Sequence, residues 1–399
     1  MNRAKTLVCA GFFLLSLCGV LPQGQSIVSR AQQTAQDRPE QVEQFQRRPT
    51  NVKRDLVYVG VPGRRNYLQY GGVGVLVFDA GRHFQFVKRI PTWDYPASQE
   101  PESIKGMSAN AATGMLYLST NYRLAAMDLR TEKMVWEQTY DGDCCDRAAV
   151  SPDGKTVYAP AIEGHSWYVV DAMTGREIKK VDTGPLNSPH NTIFSLDGSR
   201  VFLSGPLLAM VDTKTNTIMR TIKFGNKVRP FTINGQGTYV FADVTDLLGF
   251  EVADLKTGEV IHRVEVNGFG WAKDRVLEHS TPSHGIALSP DEKELWLGDL
   301  ANGYIHIFDA TVMPPKQMKS IRTRSNPSWI TFGLDGKYVY PSSGDVIEAA
   351  SKQIVGGFKD EVGRQVESEK ILEILFIDGK PVRAVDQFGV GQVRGPITN

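Results

Sequence analysis

Short runs of alternating apolar and polar residues, separated by tight polar turns, recur along most of this chain. Between Ala148 and Asp182, the run AAVS leads into the turn SPDG, and TVYAPA, WYVVD and EIKKVD follow with a loop or turn between them. Apolar residues at every second position, bounded by turn residues, are typical of short β-strands. The pattern therefore predicts units of four short strands.

Two signatures repeat in phase with these units. The first is a polar turn, which appears as ATG, SPDG, SLDG, NGQG, SPDE and GLDG. The second is an acid after an apolar pair or triplet, which occurs seven times, at Asp79, Asp128, Asp171, Asp212, Asp254, Asp309 and Glu348. A unit of four strands and about 40 residues cannot bury both faces of its twisted sheet, so such units pack against one another around a channel. We predict an all-β fold over residues 54–399, a seven-bladed β-propeller of four-stranded antiparallel blades.

The first unit lacks an inner strand, because the repeats begin directly at Asp55 in DLVYVGV. Near the C terminus, two β-like runs flank Asp378–Gly379, a pair that is typical of hairpin turns. We therefore predict that this C-terminal segment joins the first blade and closes the ring.

The N-terminal segment has the pattern of a secretory signal peptide. MNRAK is a short basic region, and the apolar run TLVCAGFFLLSLCGVL and small residues follow it. We predict a signal peptide over residues 1–26, a flexible polar linker over 27–53, a periplasmic or secreted location, and no stable membrane insertion after the signal is removed. The net charge of +1 does not favour a nucleic-acid partner.

The strings SPDGKTVYAPA, ALSPDEKELWLGD and VVDAMTGREI resemble the repeats of YVTN-repeat, YncE-like β-propellers, which are WD40-like in their four-stranded units. The resemblance runs from about residue 55 to the end and implies an often exported seven-bladed propeller. It implies no single activity, because the family is similar both to lactonase-type propellers and to the propeller chains of quinoprotein and haem oxidoreductases. The literal Tyr-Val-Thr-Asn string is absent from this chain.

Alignment of the units on their turns brings one residue of each to the start of the inner strand, at one mouth of the channel. These residues are Gly106, Asp146, His190, Arg229, His284 and Ser328, with Arg147 and Asn191 among their neighbours. Such a ring of ionisable and polar side chains favours a pocket for an anionic or hydroxylated small molecule, or for an extracytoplasmic protein partner. The alternative is a polar rim that only contacts water.

Longer loops reach the same face. We include His165, Trp167, Trp93, Tyr95 and Trp271 among the candidate ligand-binding residues, with the three aromatic residues of the long connections as a cleft for sugars or other rings. Packing within the loops is the alternative role for each of these aromatic residues.

Three kinds of chemistry fit the ring. His190 and His284 are candidates for an acid–base pair in a lactonase, lyase or hydrolase. His165, His190 and His284 are candidate ligands of a divalent metal, although no short ligand spacing such as HExxH occurs. A quinoprotein-like oxidoreductase or electron-transfer partner is a third hypothesis, and neither GxSxG nor a haem-attachment CxxCH is present.

Cys144 and Cys145 are adjacent and stand directly before the ring residue Asp146. Free thiols of exported proteins tend to oxidise, so a disulfide between neighbours that forms part of the wall of the site is one interpretation. The other is a pair of small buried side chains at the junction of two blades.

Overall fold

The computed structural model describes residues 52–96, 98–141, 144–162, 164–184, 189–274 and 277–394. The predicted signal peptide and residues 27–51 of the predicted linker lie outside the described residues. Among the described residues, no helix has both the length and the apolar character that crossing a membrane requires.

The described chain forms seven antiparallel sheets, six with four strands and one with five. Blades 2 to 7 follow one another along the sequence, and inner strands of neighbouring blades contact each other, as in blades 1 and 2, 2 and 3, 3 and 4, 5 and 6, and 6 and 7. The all-β, seven-bladed propeller predicted from the repeats is therefore confirmed.

The strand bounds follow the predicted units. Blade 1 contains β1 (Lys53–Val61), β2 (Gly74–Asp79) and β3 (Gln85–Ile90), with β28 (Ile371–Ile377) and β29 (Lys380–Ala384) from the C terminus. Blade 2 contains β4 (Ile104–Asn110), β5 (Met115–Thr120), β6 (Leu124–Asp128) and β7 (Met134–Gln138). Blade 3 contains β8 (Ala149–Val150), β9 (Thr156–Pro160), β10 (Ser166–Asp171) and β11 (Glu177–Asp182). Blade 4 contains β12 (Thr192–Phe194), β13 (Arg200–Ser204), β14 (Leu208–Asp212) and β15 (Thr217–Ile222).

The remaining blades have the same plan. Blade 5 contains β16 (Val228–Ile233), β17 (Tyr239–Val244), β18 (Gly249–Asp254) and β19 (Val260–Glu265). Blade 6 contains β20 (Ser283–Leu288), β21 (Glu294–Asp299), β22 (Tyr304–Asp309) and β23 (Lys316–Arg322). Blade 7 contains β24 (Ile330–Phe332), β25 (Tyr338–Pro341), β26 (Asp345–Glu348) and β27 (Gln353–Gly357). Two short 3-10 helices, Leu68–Tyr70 and Ala80–Arg82, lie in the loops of blade 1.

The repeated acid is a turn residue for a physical reason. In blade 3, the carboxylate of Asp171 accepts hydrogen bonds from the backbone N–H groups of Met173 and Thr174, at 3.1 and 2.9 Å. Asp212 binds Lys214 and Thr215 in the same way, at 2.9 Å each. Such bonds satisfy backbone donors that the end of the strand leaves free, so the acid determines where the third strand ends and the fourth begins.

The ring closes as the sequence predicts. β28 pairs with β1 and so occupies the inner position of blade 1, while β29 adds a fifth strand on its other side. Asp378 and Gly379 connect them with φ values of 50° and 76°, as a type I′ hairpin turn requires.

Packing between blades provides the core. The largest cluster joins blades 3, 4 and 5 and includes the fully buried Trp167, Phe202 and Phe231. A second cluster, with Phe78, Tyr340 and Phe358, joins blade 7 to blade 1 and so seals the ring.

The residues after β29 contact the inner strands of several blades. The side chain of Gln387 accepts a hydrogen bond from the backbone of Met107 in blade 2, and its carbonyl accepts one from the Trp329 indole in blade 7, at 3.2 and 2.5 Å. The carbonyl of Gly389 accepts bonds from Thr232 in blade 5 and Leu288 in blade 6, both at 2.8 Å. We call residues 385–394 the channel segment, and it gives the channel mouth a floor.

Candidate functional site

The starts of the inner strands meet at the channel mouth. Arg147 and Asn191 form a bridge between blades 3 and 4, and the rings of His190 and His284 lie 5.7 Å apart. A Cβ atom added at Gly106 would lie 2.8 Å from the Cα of Arg147, so blade 2 also touches this ring. The alignment of the repeats thus brings together residues that are far apart in the sequence.

Blade 1 contributes the member of the ring that the sequence analysis missed. Glu369 and Lys370 directly precede the inner strand β28, as Asp146 and Arg147 closely precede β8. The alignment did not include them because the inner strand of blade 1 comes from the far end of the chain. The signal was present: the ring position before the predicted C-terminal strand reads Glu-Lys.

Glu369 is the centre of the site. One of its oxygens, Oε2, binds Arg147 and lies 2.8 Å from Lys370 Nζ. The other, Oε1, accepts the hydroxyl of Ser328 at 2.6 Å and lies 2.7 Å from His279 Nε2. The Glu369 side chain is only 3 % exposed. This one buried carboxylate therefore contacts residues of blades 1, 3 and 7 and, through His279, the connection between blades 5 and 6.

Three histidines surround this carboxylate. His279 stacks on His284 with ring centres 4.0 Å apart and planes 13° from parallel. His284 Nδ1 donates to the carbonyl of Ser328 at 2.8 Å, which leaves its Nε2 as a free acceptor. His190 Nδ1 lies 2.5 Å from Asn191 Oδ1 and 3.5 Å from Asp146 Oδ2. His279 occurs in the long connection that the sequence analysis noted, but no role was assigned to it.

Arg147 forms the base of the site. Its guanidinium lies 3.7 Å from the centre of the Trp329 ring. The indole N–H of the same Trp329 donates to the channel segment at Gln387. Stacking of a guanidinium on an indole is a favourable cation–π contact, and it is stronger where water is excluded. The Arg147 side chain is only 4 % exposed and therefore has little freedom to reorient.

Several polar atoms of the site have no hydrogen-bond partner. They are Arg147 Nε, Asn191 Nδ2 and His284 Nε2, all of them buried. His279 Nε2 also lacks a well-aligned hydrogen bond, but it contacts Glu369 Oε1 at 2.7 Å and so has an ion-pair partner. A buried polar atom without a partner costs about 1–3 kcal/mol, so a cluster of them indicates that something else satisfies them.

Burial and charge shift the ionisation of the site. Burial lowers the pKa of His190 to about 4. The negative charge of Asp146 raises this pKa in part, and the positive charge of Arg147 lowers it further. Burial, followed by repulsion from His279, lowers the pKa of His284 well below its usual value. Burial would raise the pKa of Glu369, but Lys370, His279 and Arg147 together hold it well below the usual range. Burial lowers the pKa of Lys370 to about 8.

A second set of buried charges lies beside the first. Arg64 binds Glu367 at 2.6 Å and Glu278 at 2.8 Å. Because Glu278 directly precedes His279, this contact anchors the connection that carries the histidine to blade 1. Arg229 of the predicted ring donates to Thr245 at 3.1 Å, and its charge contributes to the lowered pKa of His190.

Other residues predicted from the sequence lie outside this cluster. His165 is half exposed and pairs with Asp182 at 2.8 Å, so it does not join His190 and His284. Trp167 is 1 % exposed and donates to Thr192 within the core, so it is a core residue rather than a wall of the site.

The predicted aromatic cleft does not form. Trp93 packs on the core between blades 1 and 2 and donates to Glu137 at 2.6 Å, whereas Trp271 packs near Leu277 and Leu300. Tyr95 lies near the first of these, and its hydroxyl is buried close to Glu102. The alternative that these rings pack their own loops describes their contacts better.

Cys144 and Cys145 lie where the sequence places them, directly before Asp146. Their sulfur atoms contact each other as a disulfide between neighbours, and both residues are buried with Tyr117, Ala159 and other apolar side chains. The backbone N–H of Cys145 donates to the carbonyl of Thr120 in blade 2. The pair therefore supports the backbone of Asp146 from behind and exposes no sulfur to the channel mouth.

A cavity of about 340 Å³ lies elsewhere, between the channel segment and the turn ends of the inner strands of blades 2, 3 and 4. Asp386 is the single ionisable residue in its described lining. We place the candidate site at the channel mouth instead, because that is where buried polar atoms converge without partners.

Fold and site together define a seven-bladed β-propeller with a buried polar cluster at one channel mouth. No family model matches the chain, and no curated protein matches its sequence. Among solved structures, it is similar to a chain of Kuenenia stuttgartiensis hydrazine synthase, at 17 % identity and a TM-score of 0.41. The match covers 66 % of this chain and 98 % of that one.

Proposed function

We propose that this protein is a binding module that holds a small, oxygen-rich polar molecule at the channel mouth. The observation that carries the proposal is the convergence of buried polar atoms without partners on one carboxylate-centred cluster. A ligand that supplies the missing partners would recover the cost of leaving them unpaired.

The type of free atom selects the ligand. Arg147 Nε and Asn191 Nδ2 are donors and belong to residues bridged across blades 3 and 4, so they favour a ligand that presents carboxylate or hydroxyl oxygens. His284 Nε2 is an acceptor and favours a hydroxyl donor. Hydroxy acids and sugar acids have both features.

Calorimetric titration of the full chain with gluconate and citrate, and with glucose as a neutral polyol, tests the proposal. We expect an acid probe to bind and Asn191→Ala to weaken binding about tenfold or more, since each 1.4 kcal/mol is a factor of ten. His165→Ala is the matched control and should bind as the native protein does. Absence of binding by all three probes, or equal affinity of the Asn191→Ala variant, would refute the proposal.

An acid–base enzyme is the second candidate, and the orientation of the histidines favours it. His284 and His190 both engage their Nδ1 atoms with protein groups, so their Nε2 atoms are the ones available to a substrate. A lactone hydrolase, lyase or other hydrolase would use one of them as general base. Lactone hydrolysis that disappears in His190→Gln but persists in His165→Ala would support this candidate. Equal rates with and without protein would remove it.

Other features of the proposal come from the sequence. Export to the periplasm or out of the cell is supported by the N-terminal pattern, and membership of the YVTN-repeat, YncE-like group by the repeat strings. The oxidoreductase hypothesis gains no supporting contact from the residues that the structure describes.

A further inference from the structure

One corner of the channel mouth has the donor atoms of a transition-metal site. His279, His284 and Glu369 each offer one ligand atom, and these three atoms lie within 4.8 Å of one another. Two imidazoles and one carboxylate form a donor set that proteins use for zinc with a fourth position left open. From the sequence alone, His284 is a candidate ligand together with His165 and His190 instead.

We propose that His279, His284 and Glu369 bind a divalent transition-metal ion such as Zn²⁺. Metal binding does not depend on the proposed small molecule. An ion held by His284 Nε2 would replace that atom as the contact for a ligand oxygen.

The orientation of His284 supports the assignment. Its Nδ1–H is fixed by the carbonyl of Ser328 at 2.8 Å, and its Nε2 is buried without a partner. Metal-binding histidines typically donate their other ring N–H to a carbonyl or carboxylate, which fixes both the tautomer and the direction of the lone pair. His284 therefore already has the surroundings of a ligand.

His279 and Glu369 complete the geometry. His279 Nε2 lies 2.7 Å from Glu369 Oε1, close enough for contact but without the alignment of a hydrogen bond. A tetrahedral ion with bonds of about 2.0–2.2 Å holds its donor atoms about 3.3–3.6 Å apart, a spacing between this contact and the 4.8 Å limit of the cluster. Binding requires His279 to rotate out of its stacking on His284, so that the lone pairs of both rings point at one ion. His279 lies in a connection rather than a strand.

The surrounding charges indicate which metal fits. Arg147 and Lys370 both bind Glu369 Oε2, so they support the carboxylate but add positive charge near a bound cation. The cluster offers a single carboxylate, which disfavours Mg²⁺ and Ca²⁺ because these ions depend on several oxygen ligands. Nitrogen donors in the majority favour Zn²⁺, Cu²⁺ or Ni²⁺. His190, whose ring lies 5.7 Å from that of His284, is the residue to examine as a fourth ligand.

Direct metal analysis tests the proposal. The full chain, prepared without a histidine tag, is treated with EDTA, titrated with Zn²⁺ by calorimetry, and analysed for bound metal after dialysis. We expect about one Zn²⁺ per chain. In His279→Ala and Glu369→Gln we expect affinity to fall at least about tenfold, whereas His165→Ala, which removes an exposed histidine, leaves it unchanged.

Two results would overturn the site: a bound-metal ratio close to zero, or equal Zn²⁺ affinity in the native protein and His279→Ala. Because Glu369→Gln alters a buried ion-pair cluster, its fold is checked by circular dichroism. If it does not fold, the visible spectrum of Co²⁺ added to the native protein and to His279→Ala decides. A low-coordinate Co²⁺ spectrum that His279→Ala loses supports the site, and the spectrum of fully hydrated Co²⁺ refutes it.

The acid probes are titrated separately into EDTA-treated and Zn²⁺-loaded protein. Acid binding without Zn²⁺ binding would leave the proposed ligand function intact and remove only the metal site. Zn²⁺ binding without acid binding would support the metal site and refute the proposed small-molecule ligand.

Discussion

Glu373 provides a test of the propeller's closure that is independent of any ligand. It lies on the inner strand of blade 1, and the Tyr340 hydroxyl of blade 7 donates to its Oε2 at 2.7 Å. Burial raises the pKa of this carboxyl from 4.5 to about 7, against the hydrogen bond from Tyr340 and with added repulsion from Asp335 and Asp55. Between about pH 4.5 and pH 7, the folded protein therefore keeps a proton on Glu373 that the unfolded chain has released.

The sign follows from this difference in bound protons. Below about pH 4.5 both states are protonated and the carboxyl contributes nothing to the pH dependence. From there to about pH 7 only the folded state keeps the proton, so the free energy of unfolding falls by about 1.4 kcal/mol per pH unit. The expected total loss is about 3 kcal/mol, and it stays constant at higher pH.

Glu373→Gln removes the titration but keeps an oxygen that can accept from Tyr340. Urea unfolding of both proteins from pH 4.5 to 8 measures the difference in unfolding free energy. We expect Glu373→Gln to gain about 3 kcal/mol relative to the native protein across this range. Glu177→Gln, which changes an exposed glutamate on an outer strand, is the control and should track the native protein. A constant difference between native and Glu373→Gln proteins at every pH would refute the reasoning.

Three further predictions concern the channel and the cysteines. Removal of residues 385–399 should lower the free energy of unfolding by about 5 kcal/mol, at about 1 kcal/mol for each of the hydrogen bonds that Gln387 and Gly389 make to the blades. A urea midpoint equal to that of a control lacking only residues 395–399 would contradict this. Gly389→Ala should lower the free energy of unfolding by about 2 kcal/mol or more, because φ is 60° and the new Cβ would lie 2.4 Å from the Cβ of Ala287. The control Gly237→Ala has a similar φ of 64°, but its Cβ would meet open space. An equal loss in melting temperature for both variants would show that the close contact is irrelevant. In the denatured protein without residues 1–26, a thiol reagent should react with Cys144 and Cys145 only after reduction, and reaction before reduction would refute the disulfide.

Signals close together in the sequence predicted the fold. The acid turns and polar turns are local, because a carboxylate such as that of Asp171 binds backbone groups two and three residues away. Alternation of apolar and polar residues is equally local and predicted the strands of each unit, while the seven acid turns predicted the number of blades. The hairpin at Asp378–Gly379 required only the preference of that pair for positive φ.

The candidate site was predicted in part. Phasing of the repeats brought Asp146, His190 and His284 to one mouth, because equivalent positions of equivalent blades must meet around the axis. The position of His165 and Trp167 in and beside a loop predicted that they lie on the same face. Loop position does not determine side-chain direction, and the structure turns Trp167 into the core and pairs His165 with Asp182.

The sequence by itself determined the blades, their order and the residues at the start of the inner strands of blades 2 to 7, since periodicity and turn chemistry act over a few residues. Only the tertiary structure decided what those residues contact. Arg147 and Glu369 are 222 positions apart, and Arg64 and Glu278 are 214 positions apart. The first contact arises because closure of the ring places the C-terminal strand β28 inside blade 1, and the second because the connection between blades 5 and 6 reaches a loop of blade 1. No local pattern records which distant charges the closed ring brings together.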